Sequence, residues 1–189
     1  MSRVLAKRAL VPHPDTPDPD FSVTAKLSLM GSDVLKIDYV VAGLVGRLAV
    51  PDERVPVRED GLWQASCFEA FVRPGAGQGY AEYNFSPSRC WASYWFDGYR
   101  EGMAPMADSQ IEIFREAVTG ERLALTVLCH IGAPWGREID PLRAQWGLSA
   151  ILEYRDGAKS YWALAHAPGK PDFHHPACFA LQLTAPDAP

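Results

Sequence analysis

The sequence predicts an all-β domain, a two-sheet β-sandwich of jelly-roll or immunoglobulin-like type. Three observations predict it. Apolar and polar residues alternate with a period of two through much of the chain. Sixteen prolines and fifteen glycines punctuate these runs into short pieces. Only 140–146 reads as helical, with Pro141 suited to a first helical position, so at most one or two short helices are expected.

The elements follow in order. Residues 1–20 read as a loop-like lead, because Pro12-His13-Pro14-Asp15-Thr16-Pro17-Asp18-Pro19-Asp20 cannot be helix interior. Phe21, Val23, Ala25, Leu27 and Leu29 then alternate with polar residues, the mark of a half-buried strand. Gly31-Ser32-Asp33 makes a turn, and Leu35, Ile37, Tyr39 and Val41 return as its hairpin partner. Val50 to Gly61 is looser and charged, and crosses between sheets. Strands are expected at Ser66–Arg73, Tyr80–Ser86, Trp91–Asp97, Gln110–Phe114 and Arg122–His130. Pro74 to Gly79 turns the first of these into the second. Gly147–Tyr154 and Ser160–His166 flank Asp156-Gly157, a hairpin signal. Cys178–Leu183 closes the set. Such a series of short strands suits a sandwich.

A length of 189 residues suggests one domain, 1–189. A net charge of -5 leaves no basic face for phosphates, so nucleic acid is not expected. No apolar run reaches bilayer length, so no membrane partner is expected. The N-terminal residues lack a cleavage signal, and a cytoplasmic protein is expected. Cys67, Cys90, Cys129 and Cys178 form no C-x-x-C pair and read as buried free thiols.

Side-chain parity points to a site. Residues two apart on a strand share a face. Trp63, Cys67, Glu69 and Phe71 have one parity, against Phe68, Ala70 and Val72. Tyr80, Glu82, Asn84 and Ser86 share a side, as do Trp91, Ser93, Trp95 and Asp97. If the strands are neighbours, one face is apolar and the other mixes tryptophans with carboxylates and an amide. A carboxylate inside an apolar segment, as at Glu69, is costly unless something pairs with it, and Arg89 or Arg100 could do so. An aromatic plate suits the C–H face of a sugar, and Glu, Asn and Arg suit its hydroxyls. Trp63, Trp91 and Trp95 offer such plates on that face, beside Glu69 and Glu82. Asn84 and Arg100 are further hydrogen-bonding groups, and His174 and His175 line the rim.

The segments "LWQASCFEAFV", "YAEYNFSPSRCWASYWFDGYREGM" and "YWALAHAPGKPDFHHPACFALQL" resemble the DOMON-like proteins. These are similar to family 9 carbohydrate-binding modules and to haem- and sugar-binding DOMON domains. The resemblance runs from roughly Phe21 to Leu183 and is most specific in its middle and C-terminal blocks. It implies a sandwich with a ligand site on one sheet, in which the tryptophan at Trp63 stacks on a sugar and the glutamate at Glu69 binds its hydroxyls. Where family 9 modules carry a second stacking tryptophan, this chain has Phe173, His174 and His175, with Trp162 upstream.

The resemblance also implies an alternative. Haem-binding DOMON domains hold iron with a methionine and a late histidine. Met103 or Met106 with His174 or His175 could supply that pair for haem b. A metal held by His166, Asp172, His174 and His175 is a further option. No catalytic motif is evident. Glu69 with Glu82 could form a carboxylate pair, and Cys67 or Cys90 with His130 a nucleophile and base, but nothing orients either. The expected function is non-catalytic binding of a saccharide or sugar-containing metabolite. The other alternative is a protein-interaction scaffold, or a homodimer formed along an exposed sheet edge.

Overall fold

The computed structural model describes residues 2–31, 34–75, 79–106, 110–130 and 143–183. Twelve strands lie in one hydrogen-bonded sheet that curls into a half-barrel, and among the described residues there is no α-helix. Every strand pairing is antiparallel.

Five strands form one half. β1 (Ser2–Pro12) pairs β2 (Phe21–Met30), which pairs β3 (Val34–Gly43) from Phe21 opposite Gly43 to Met30 opposite Val34. The other half holds β4 (Cys67–Arg73), β5 (Tyr80–Phe85), β6 (Trp91–Phe96) and β7 (Ala104–Pro105). β8 (Ile111–Val118) and β9 (Arg122–His130) complete the first half, β9 lying between β3 and β8. β10 (Gln145–Glu153) joins β4 to β11 (Lys159–Ala163), and β12 (Leu181–Gln182) adds to its start.

β1 corrects the expected loop-like lead. Residues 13–20 are irregular as expected, but Ser2–Pro12 is the strand that links the halves. Its residues up to Leu10 pair β2, and Val11 and Pro12 pair Ala163 and Trp162 of β11. A bulge between Val4 and Ala6 breaks its period, and only Ala6 and Leu10 are buried, so no alternation shows in the sequence.

The halves meet over an apolar core. Val23, Leu27, Ile37, Tyr39, Leu125 and Val127 of the first half cluster with Phe68, Ala70, Phe85, Leu148, Ala150 and Leu152 of the second. Tyr39 stacks on Phe68 at 4.9 Å, and its hydroxyl donates to the Glu69 carbonyl at 2.7 Å. That bond satisfies a polar group that burial would otherwise make costly.

Three further expectations change. The helix at 140–146 fails where it is described: Gln145 and Trp146 open β10, and Trp146 packs in the core opposite Val72; 140–142 lie outside the described residues. Ser32, Asp33 and 76–78, parts of expected turns, lie outside them too. The last strand shrinks to Leu181–Gln182. A 3-10 turn at Pro176–Cys178 precedes it, and Phe179 packs under the Arg73 guanidinium. Among the described residues, no helix is long and apolar enough to cross a membrane.

Candidate functional site

The outer face of β4, β5 and β10 is not covered by the other half of the sheet, and it carries the polar groups. Glu69 lies opposite Asn84 on β5 and Ser149 on β10. Glu82 lies opposite Phe71 and Tyr94. Directly opposed residues of an antiparallel pair share a face. Cys67, Glu69, Phe71, Tyr80, Glu82, Asn84 and Ser149 therefore project together.

Above them is a cavity of about 360 Å³. Glu69 and Glu82 lie at its floor, 3% and 6% exposed. Trp63, Phe96, Ile151, Tyr161 and Phe173 wall it, and Arg100, Met103, Pro171 and His174 complete the lining. Trp63 stands on a 3-10 turn, Leu62–Gln64, which Gly61 opens at φ +80°, a conformation that suits glycine. Its ring is 37% exposed and meets the Tyr94 ring edge-on at 5.9 Å.

Among the described residues, each floor acid has one hydrogen-bond donor. Ser149 Oγ donates to Glu69 Oε2 at 3.2 Å, and Asn84 Nδ2 donates to Glu82 Oε1 at 2.7 Å. Burial first, and then the charge of Glu82, push the Glu69 carboxyl well above the usual carboxylate range. Burial pushes Glu82 up to about 7, against the opposing pull of Asn84 and Arg100. His174 packs edge-on to Phe71, Tyr80 and Phe96. Burial, and then the Arg100 charge, lower it to about 4, so the ring is neutral near neutral pH. Its Nδ1 lies 2.7 Å from the Tyr80 hydroxyl, which accepts from the Arg100 N–H at 3.2 Å. Its Nε2 lies 3.6 Å from Glu82 Oε2.

Asp172 holds the rim. Its Oδ1 accepts from Arg100 Nη2 at 2.8 Å and from the His174 N–H at 3.1 Å, and the Tyr99 hydroxyl bonds to its Oδ2. Burial raises this carboxyl, but the Tyr99 and Arg100 bonds outweigh it and leave it below its ordinary value.

The fold is shared with a solved structure. It is that of a "putative carbohydrate-binding protein" from Bacteroides uniformis ATCC 8492, with a TM-score of 0.62 at 16% identity, covering 94% of this chain and 83% of that one. No family model and no curated protein matches the sequence.

Four of the seven residues expected at the site line the cavity: Trp63, Glu69, Arg100 and His174. Asn84 sits beneath the floor, fully buried, and acts through Glu82. Trp91 is a correction. It lies opposite Phe85 and packs against the main core, on the face away from the cavity. The parity assumed for β6 is inverted, and Ala92, Tyr94 and Phe96 face the site instead. Aromatic residues occupy both parities of Trp91-Ala92-Ser93-Tyr94-Trp95-Phe96, so alternation cannot orient this strand. His175 also leaves the site: its Nδ1 accepts from the Ala177 N–H and caps the 3-10 turn. Arg89 is not the partner of Glu69, since it donates to the Ile113 carbonyl and to Glu53. Phe96, Tyr161 and Phe173 are site residues that parity missed. Tyr161 pairs with Ile151, two residues from Ser149, so the register of β10 and β11 reveals it.

Of the residues expected for a Met/His haem pair, Met103 and His174 line the cavity. Met106 is buried against the main core, and its backbone bonds to Ser93, away from the cavity. His174, the cavity histidine, is wedged among three rings with Nδ1 on Tyr80 and Nε2 facing Glu82. Among the described residues, no three of His, Cys, Asp and Glu gather as metal ligands. Burial pushes the Cys67 thiol well above its ordinary value, which disfavours a thiolate, and His130 ends β9 in the other half of the sheet.

Proposed function

We propose that this chain is a non-catalytic ligand-binding domain whose ligand is a saccharide or a sugar-containing metabolite. One observation carries the reading. The half-exposed Trp63 ring and the buried Glu69 carboxyl, six residues apart, open into the same cavity. The ring offers a stacking plate, and the carboxyl an acceptor that burial makes selective. The size of the cavity suits a monosaccharide or one residue of a longer sugar. We read the curled sheet as the DOMON-like sandwich, one domain over 1–189, with β1 closing its halves. The four buried free thiols fit a reducing, cytoplasmic setting.

A panel of mono- and disaccharides, titrated while tryptophan fluorescence and heat are followed, tests the reading. At least one sugar is expected to bind, and Trp63→Ala to weaken it about tenfold or more, the scale of one aromatic contact. Equal affinity in that variant with an unchanged thermal melt removes the stacking role.

A further inference from the structure

The cavity floor is a set of acceptors. Glu69 Oε2 accepts a hydrogen bond from the Ser149 hydroxyl, while its Oε1 has no hydrogen-bond partner among the described residues. Glu82 Oε1 accepts a hydrogen bond from the Asn84 amide, and its Oε2 is 3.6 Å from His174, beyond a good hydrogen bond. The Asn84 amide and the Ser149 hydroxyl already serve the two acids. Arg100, at the rim, is bonded to Asp172. Two acids thus share a buried floor beneath aromatic walls, and the Arg100 charge that acts on both is bonded to Asp172 and to neither of them.

We propose that the ligand supplies the missing cation: the site takes an amino-bearing saccharide, with its ammonium between Glu69 and Glu82 and its ring against Trp63. This rests on the saccharide reading above. An ammonium has three donors and no acceptor, the complement of this floor. Its bonds to carboxylates are charge-assisted, and the surrounding ring faces favour a cation. A neutral sugar leaves the acid pair protonated and gains no charge-assisted bond from it.

Binding of this kind expels the proton that the acid pair retains. The other titratable groups around the pair do not blur that signal at about pH 6. Cys67 and Tyr80 are raised and stay protonated, Asp172 stays ionised, Arg100 stays charged and His174 stays neutral.

The test is calorimetry on the full chain at about pH 6, in two buffers of different ionisation enthalpy. The probes are D-glucosamine, D-glucose, N-acetyl-D-glucosamine and ethanolamine. D-glucosamine is expected to bind at least about tenfold tighter than either neutral sugar and to release protons. Glu69→Gln and Glu82→Gln are each expected to lose about tenfold or more of that affinity, and the second variant serves if the first fails to fold. D-glucose or N-acetyl-D-glucosamine binding as tightly as D-glucosamine overturns the ammonium contact and leaves the saccharide reading standing. So does D-glucosamine binding without proton release. Ethanolamine binding as tightly as D-glucosamine supports the ammonium contact and overturns the saccharide reading. No binding by any of the four overturns both.

Discussion

The two faces of β4 and β5 share a backbone and differ in what lies above them. The inner face presents Phe68, Ala70, Val72, Ala81, Tyr83 and Phe85 to the other half of the sheet, and that half seals it. The outer face alternates with it residue for residue, yet holds Glu69, Glu82 and Asn84, almost as deeply buried. Short loops and turns cover the outer face, and they leave a hollow over the two acids. Burial alone therefore does not separate core from site here. The difference is whether close-packed apolar side chains or a cavity faces the residue. Close packing favours stability, whereas carboxyls held out of water at the edge of a hollow favour recognition at a cost in stability.

That contrast can be broken by substitution. Phe68→Ala on the inner face is expected to cost about 3–5 kcal/mol in chemical denaturation, through the cavity left beside Tyr39. A cost below about 1 kcal/mol means that the inner face is not close-packed.

The pH dependence of stability sharpens the outer side of the comparison. Folding raises the Glu82 carboxyl from 4.5 to about 7, chiefly by burial. The folded chain therefore binds its proton more tightly than the unfolded chain does. Stability contributed by this group is fully present below about 4.5, is lost as pH rises to about 7, and is level above. Glu69 acts in the same direction. Urea melts between those limits should show a decline on the order of 2–3 kcal/mol. Glu82→Gln should reduce that decline and leave the part due to Glu69.

Trp91 separates the two faces within one strand. Trp91→Ala is expected to cost about 2 kcal/mol of stability while leaving ligand affinity unchanged, because the ring packs on the inner side. Loss of affinity with an intact melt would return Trp91 to the site. The smallest effect belongs to the rim. Asp172→Asn weakens a partly exposed ion pair with Arg100 and should cost less than about 1 kcal/mol of stability. Affinity should fall more than stability does, because Arg100 and His174 both lean on that carboxylate.

The sequence alone determined the all-β class, the β2–β3 hairpin and the expectation that Trp63 and Glu69 belong together. Those are local properties: strands with one buried face must alternate, and a carboxylate in an apolar run demands a reason. It could not reveal β1, whose bulge and sparse burial erase the period, nor the orientation of β6, whose rings sit on both sides. Only the tertiary structure decided which residues share the hollow. Strand register brings Ser149 to Glu69 across eighty residues, and a late loop carries His174 to Tyr80 across ninety-four. Alternation tells two faces of a strand apart, but only pairing and packing determine what covers each of them.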